Sequence, residues 1–272
     1  MKHMSQRVAL LGGGKMGEAL LAGMLRAGRT AADVVVTERH PERAAELRDR
    51  YGVATPDAGD AVKSADVLIV AVKPQDMGAL LTEIGPAVHP GQLVISVAAG
   101  IPAAFLERHL SGDVPVVRVM SNTAVFVDQA MSAISPGTHA TADHMKLAED
   151  LLSPVGEVIR VPESQLDAVT ALSGSGPAYF FYLVEAMTDA GILLGLPREV
   201  AHRLIVQTAI GAATMLKETG EHPVKLREAV MSPAGTTIAA IREMENHGVR
   251  AAMIGALEAA RDRSRELASG LG

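Results

Sequence analysis

What most constrains the fold of this sequence is a series of short, continuously apolar runs, at 8–11, 34–36, 67–72, 93–97 and 116–120, alternating with amphipathic stretches. Strands that are apolar at every position are covered on both faces, and strands alternating with helices form a parallel sheet with crossover connections. The first half is therefore expected to be an α/β, Rossmann-like sheet. Residues 132–135 and 155–161 could add strands, with a helix over 141–152 between them. The pattern changes near Glu163. Beyond it there are only helical spacings, broken at 173–177, 195–197, 220–223 and 232–235. The expected organisation is a dinucleotide-binding domain over 1–162 and an all-helical domain over 163–272.

The first apolar run leads into Gly12-Gly13-Gly14-Lys15-Met16-Gly17, a G-x-G-x-x-G turn that opens a helix. Gly12 permits the tight turn, Gly14 lets the backbone approach a pyrophosphate, and Gly17 allows helix and strand to touch. The helix start then offers amides and a positive dipole end to the phosphates. A glycine-rich turn without a ligand is the plain alternative. The strand before it and the apolar face of Leu20, Leu21, Met24 and Leu25 after it favour a dinucleotide, with Gly12, Gly14, Lys15, Met16 and Gly17 as contacts.

The cofactor's 2′ position should be read about 20 residues further on, where the sequence is Thr37-Glu38-Arg39-His40. Glu38 suits a ribose hydroxyl and hence NADH. Arg39, helped by Lys15 or Arg43, suits a 2′-phosphate and hence NADPH. The two signals oppose each other, and a solvated loop pair is the third reading. Three more loops follow apolar runs: Ala71-Val72-Lys73-Pro74, Ser96-Val97-Ala98-Ala99-Gly100 and Met120-Ser121-Asn122-Thr123. Val72, Lys73, Pro74, Ala98 and Ala99 are candidate cofactor contacts, and Asn122 offers both a donor and an acceptor. Ordinary turn chemistry explains any one of these loops alone; their shared placement is what suggests a site.

In the helical half, Ser173-Gly174-Ser175-Gly176-Pro177 precedes a helix expected from about Ala178, with Pro177 at its first position. Ser232-Pro233-Ala234-Gly235-Thr236-Thr237 leads into another helix. A glycine beside hydroxyls at a helix start suits either a bound carboxylate or plain capping.

Composition narrows the classes. With 25 Lys and Arg scattered among 31 Asp and Glu, and 3% aromatic residues, the sequence lacks the basic stripe and stacking platform of a nucleic-acid binder. The absence of cysteine excludes disulfides and a thiol nucleophile, and fits a cytoplasmic protein. No apolar run approaches the roughly 18 residues of a membrane span, and no targeting stretch is expected at the N-terminus, where Met4 is an alternative start to Met1. His139 and His144 lack a ligand set around them, so no metal site is expected.

Taken in order, these pieces resemble the pyrroline-5-carboxylate reductase family along essentially the whole chain. The second half carries the resemblance: Asp167-Ala168-Val169-Thr170-Ala171-Leu172 running into 173–179, Glu221-His222-Pro223, and Ser232-Pro233-Ala234-Gly235-Thr236-Thr237-Ile238. The resemblance implies reduction of a cyclic imino acid to proline, usually with NADPH. It further implies that the loop including Ser232, Gly235, Thr236 and Thr237 holds the substrate carboxylate, that Thr237 bonds near the ring nitrogen, and that Glu163 lies near the imino acid. Family members are dimers with interlocked helical domains, often built into decamers, so the site is expected to draw on two chains. Three positions depart from the family wording. Met120-Ser121-Asn122-Thr123-Ala124 lacks two prolines, and Ala234 replaces a frequent glycine, which a φ below zero would accommodate.

Hydride transfer to an iminium requires no strong acid, in keeping with the lack of a His or Lys at these loops. A hydroxyacid dehydrogenase of the same plan would need a base, commonly Lys, on the helix after Pro177, where only Tyr179, Tyr182, Glu185 and Asp189 are polar candidates. A dinucleotide-binding sensor without chemistry would leave the second-half loops unexplained.

Overall fold

The structure, a computed structural model, describes residues 6–269; both candidate start positions, Met1 and Met4, lie outside them. Strands β1 (Val8–Leu11), β2 (Val34–Thr37), β3 (Val67–Val70), β4 (Leu93–Ser96), β5 (Val116–Met120), β6 (Ala130–Pro136) and β7 (Gly156–Arg160) form one sheet in the order β2-β1-β3-β4-β5-β6-β7. Alternate side chains of each central strand enter different cores. Val8 and Leu10 pack with Leu20, Leu21 and Met24 of helix α1 (Lys15–Arg26). Ala9 and Leu11 pack on the other face with the helices α3 (Ala58–Ser64), α4 (Met77–Ile84) and α5 (Ala103–His109). This two-sided cover is why the strands read as unbroken apolar runs.

Of the pairings in this sheet, only β5 with β6 is antiparallel. The cause is the short connection between them, a single 3₁₀ segment, Thr123–Val127, whereas a parallel return requires a crossover of a dozen or more residues. The next connection contains helix α6 (Ala142–Leu152), and β7 accordingly pairs parallel to β6. Thr141 caps α6 by accepting the His144 amide. Helix α2 (Pro41–Tyr51) lies between β2 and α3 in sequence.

The chain divides into two compact units. One runs through Ser175 and takes in the chain from Ala260 onward; the other is Gly176–Ala259. The element type changes near Glu163, but 163–175 belongs to the first unit because it is tied there. Leu166 is buried, and Ser264 donates to Asp167 at 2.7 Å. This segment holds α7 (Leu166–Val169) and a π turn, Thr170–Gly174, which runs almost directly into α8 (Gly176–Leu193). The break expected at 173–177 is thus a widened helical turn, and α8 begins at Gly176, before the expected Ala178.

The second unit contains α8, then α9 (Arg198–Thr219), α10 (Pro223–Ala229), α11 (Thr236–Asn246) and the first part of α12 (Val249–Ser269). Gly195 and Gly220, both at positive φ, end α8 and α9. Helices α8 and α9 pack closely where Gly191 meets Ala201: a Cβ on Gly191 would lie 2.7 Å from that of Ala201. Phe180, Phe181, Leu193, Leu194 and Leu204 are all exposed.

Candidate active site

The C-terminal ends of β1, β2 and β3 open into a cleft of about 590 Å³. An open parallel sheet binds ligands at this edge. The cleft brings together Gly12, Gly14, Arg39, Val72 and Lys73 from the sequence-derived set. The glycine turn has the steric character of a pyrophosphate cradle. Gly12 has φ +117°, and a Cβ there would stand 2.8 Å from the Ala71 carbonyl oxygen. A Cβ on Gly17 would collide with the Gly12 carbonyl oxygen. Gly14 has open space beside it and occupies the N-cap position of α1, with no side chain bonded to the helix amides. Two glycines are thus fixed by contact, while the third leaves room for a ligand.

Lys15 is placed elsewhere, in a separate cleft with Glu18 and Arg50, and Met16 packs against the core. Arg43, which could help Arg39, lines the same cleft as Arg39 and is also bonded within the chain. Its Nε donates to the Gly13 carbonyl at 3.0 Å, Nη1 to Glu46 at 2.8 Å, and Nη2 to Glu18. Burial pushes the Glu18 carboxyl up. Bonds from Arg43, Tyr51 and Arg50 outweigh this and hold it below the ordinary carboxylate value. The consequence is a braced glycine turn.

Pro74, Ala98, Ala99 and Asn122 do not line this cleft. They follow β3, β4 and β5 at the same edge of the sheet. Asn122 is engaged internally, with Nδ2 donating to the Ser173 carbonyl at 3.0 Å and Oδ1 accepting from the Ala124 amide at 3.2 Å. Beside it, Ser132 donates to Ser121 at 2.9 Å. These bonds secure a loop that lacks the family's prolines. Glu163 is likewise engaged within the chain: its Oε1 accepts the Ala103 amide at 2.8 Å and Arg118 Nη1 at 2.9 Å.

The cleft also includes residues that the sequence motifs did not single out, among them His40, Asp57, Ala58 and Asp76. Asp57 carried a visible signal as the cap of α3, accepting the Asp60 amide at 2.8 Å. Asp76 lies two residues beyond the Lys73-Pro74 loop.

In the second unit, the 232–237 loop starts α11 at Gly235, which has no side-chain cap. Among the described residues the hydroxyls of Ser232, Thr236 and Thr237 have no hydrogen-bond partner, so Thr237 is not a cap. A Cβ on Gly235 would collide with Ser232 Oγ. The expectation of a negative φ at Ala234 is overturned: its φ is +56°. An L-residue in this region costs roughly 1–2 kcal/mol, because its Cβ crowds the following carbonyl oxygen.

A glycine turn, a two-sided parallel sheet and a cleft at its carboxyl edge define a dinucleotide-binding oxidoreductase of the Rossmann type. The pattern described as pyrroline-5-carboxylate reductase dimerisation matches residues 163–267, and that described as NADP oxidoreductase, coenzyme F420-dependent, matches residues 7–100. The pyrroline-5-carboxylate reductase of Corynebacterium melassecola is 47% identical over 264 residues, covering 96% of this chain and 98% of the relative. A solved pyrroline-5-carboxylate reductase from Coxiella burnetii matches with TM-score 0.92 and 35% identity, over 97% of this chain and 98% of that one. The Plasmodium falciparum pyrroline carboxylate reductase, solved with NADP bound, matches with TM-score 0.87 and 25% identity, over 97% and 99% of the two chains. The chain belongs to the pyrroline-5-carboxylate reductase family.

Proposed function

We propose that this chain catalyses the last step of proline biosynthesis, reducing 1-pyrroline-5-carboxylate to L-proline with NADPH or NADH. The observation that carries the reading is the pairing, in one chain, of a glycine turn shaped for a pyrophosphate with an uncapped, hydroxyl-rich helix start of the family's kind at 232–237. When bound, the reduced nicotinamide supplies a hydride from its C4 to the imine carbon.

The residues of the chain do the rest. Gly12, Gly14 and Gly17 shape the phosphate cradle, and the loops at Val72-Lys73-Pro74, Ala98-Ala99 and Asn122 line the path of the cofactor along the sheet edge. The amides at the start of α11, with Ser232, Gly235 and Thr236, take the substrate carboxylate. Thr237 Oγ1 steers the proton at the ring nitrogen, and Glu163 Oε2 faces the imino acid. An iminium already carries its proton, so positioning and exclusion of water are the main contributions.

The family's dimerisation region supports assembly through the helical domain, and the exposed Phe180, Phe181 and Leu194 fit burial against a second chain. The reading is of a cytoplasmic homodimer at least, with a decamer as the larger form. Among the described residues no helix is long and apolar enough to cross a membrane.

The test is the loss of reduced-nicotinamide absorbance when purified protein meets 1-pyrroline-5-carboxylate, with proline identified as product. Folded protein that binds the cofactor but turns over no imino acid would overturn the assignment.

A further inference from the structure

Arg39 and Asp76 come from loops on opposite sides of the glycine turn. Strand β1 lies between β2 and β3 in the sheet, so the loop after β2, carrying Arg39, and the loop after β3, carrying Asp76, face each other across the end of β1. Their side chains meet there, Arg39 Nη2 standing 2.9 Å from Asp76 Oδ1. Both residues line the cofactor cleft. Among the described residues Arg39 is the ion-pair partner of the Asp76 carboxylate.

Glu38 and Glu83 add negative charge to this cleft, which Lys73 also lines. Glu38 is fixed by the His40 amide, which donates to its Oε1 at 3.0 Å, and Glu83 lines the same cleft. Arg43, the other guanidinium here, is bonded to Glu18, Glu46 and the Gly13 carbonyl.

We propose that Asp76 is a specificity-determining residue for the cofactor: it holds Arg39 in competition with a ribose 2′-phosphate and so lowers the selectivity of this chain for NADPH over NADH. A 2′-phosphate must take Arg39 from Asp76 and then sit among three carboxylates. A 2′-hydroxyl makes no such demand and finds an acceptor in Glu38. Replacing Asp76 with asparagine keeps the size of the side chain and removes the competing charge.

The proposal rests on the reductase reading only for its kinetic measurement. Asp76→Asn is expected to raise the NADPH-to-NADH ratio of kcat/KM by about threefold to tenfold, the scale of releasing one partly exposed ion pair and one nearby like charge. Calorimetric titration with 2′,5′-ADP and 5′-AMP reads the same discrimination without turnover, and their affinity ratio should move in parallel. Set against Arg39→Gln alone, the Asp76→Asn/Arg39→Gln double variant should keep only the smaller part of the gain that comes from the lost like charge. An unchanged affinity ratio in folded Asp76→Asn protein would overturn the proposal, as would an equal gain in the double variant, since Arg39 would then play no part. A shifted affinity ratio without imino-acid turnover would uphold the role of Asp76 and sink the reductase reading alone.

Discussion

The side-chain amide of Asn122 donates to the main-chain carbonyl of Ser173 at 3.0 Å, and Pro177 explains why that carbonyl is available. In a regular helix Ser173 would be bonded by the amide four residues on, which is Pro177, and proline has no N–H. The chain widens into the Thr170–Gly174 π turn, and Asn122 supplies the missing donor. Asn122→Asp keeps an acceptor for the Ala124 amide but removes the donor. It should cost about 1–2 kcal/mol, read as a fall in Tm of roughly 2–8 °C. An unchanged Tm would mean that the Ser173 carbonyl finds another partner.

Much of this architecture is legible from local pattern. The unbroken apolar runs gave β1 and β5 to the residue because strands covered on both faces leave no ambiguity of period. The glycine turn was readable because sterics at Gly12 and Gly17 exclude other residues. What was not legible concerns tertiary geometry. Nothing local to Arg43 announces that Gly13 and Glu18 would bind it. Nothing local to Ala234 announces its positive φ, since an alanine tolerated there is held by its neighbours. The Arg39–Asp76 pair joins loops separated in sequence but adjacent through the strand order, so it becomes visible only once β1 is seen between β2 and β3.

The lack of a capping bond at Thr237 separates two roles that sequence leaves tied. Loss of an N-cap costs about 1 kcal/mol, whereas Thr237 sits inside α11 behind an uncapped Gly235. Thr237→Ala should therefore leave Tm within about 1 °C, since the hydroxyl supports nothing in the helix. It should lower kcat by about tenfold to a hundredfold, the scale of one lost transition-state hydrogen bond, with Thr237→Ser restoring most of it. A matching fall in Tm would assign Thr237 to structure.

Glu18 should make stability depend on pH in a defined direction. Its folded-state pKa is depressed because the Arg43, Tyr51 and Arg50 bonds outweigh burial. A depressed carboxylate contributes fully above its unfolded value, about 4.3, and loses that contribution as pH falls through the lower folded value. Denaturant unfolding should show wild type more stable than Glu18→Gln by about 1 kcal/mol at pH 7, with the gap closing below about pH 4. A gap that stays constant down to pH 3 would contradict this account. Because Arg43 also holds the Gly13 carbonyl, the same variant should raise KM for NADH and NADPH alike.

Glu163 stands between two roles, and its two oxygens divide them. Oε1 holds the Ala103 amide and Arg118 Nη1, which pins the loop between β4 and α5 to the segment leading into α7. Arg118 has a side chain only 10% exposed, against 34% for Glu163. Removing one partner of a buried ion pair costs about 3–5 kcal/mol; screening at the more open carboxylate reduces this to about 2 kcal/mol. Glu163→Ala should therefore destabilise the chain by that amount, whereas Glu163→Gln, which keeps a carbonyl oxygen for the Ala103 amide, should lose less. If Oε2 also faces the imino acid, Glu163→Gln will raise KM for 1-pyrroline-5-carboxylate more than KM for the cofactor. An equal rise in both would leave Glu163 as a brace for the Ala98-Ala99 loop, since a displaced loop would disturb cofactor and substrate together.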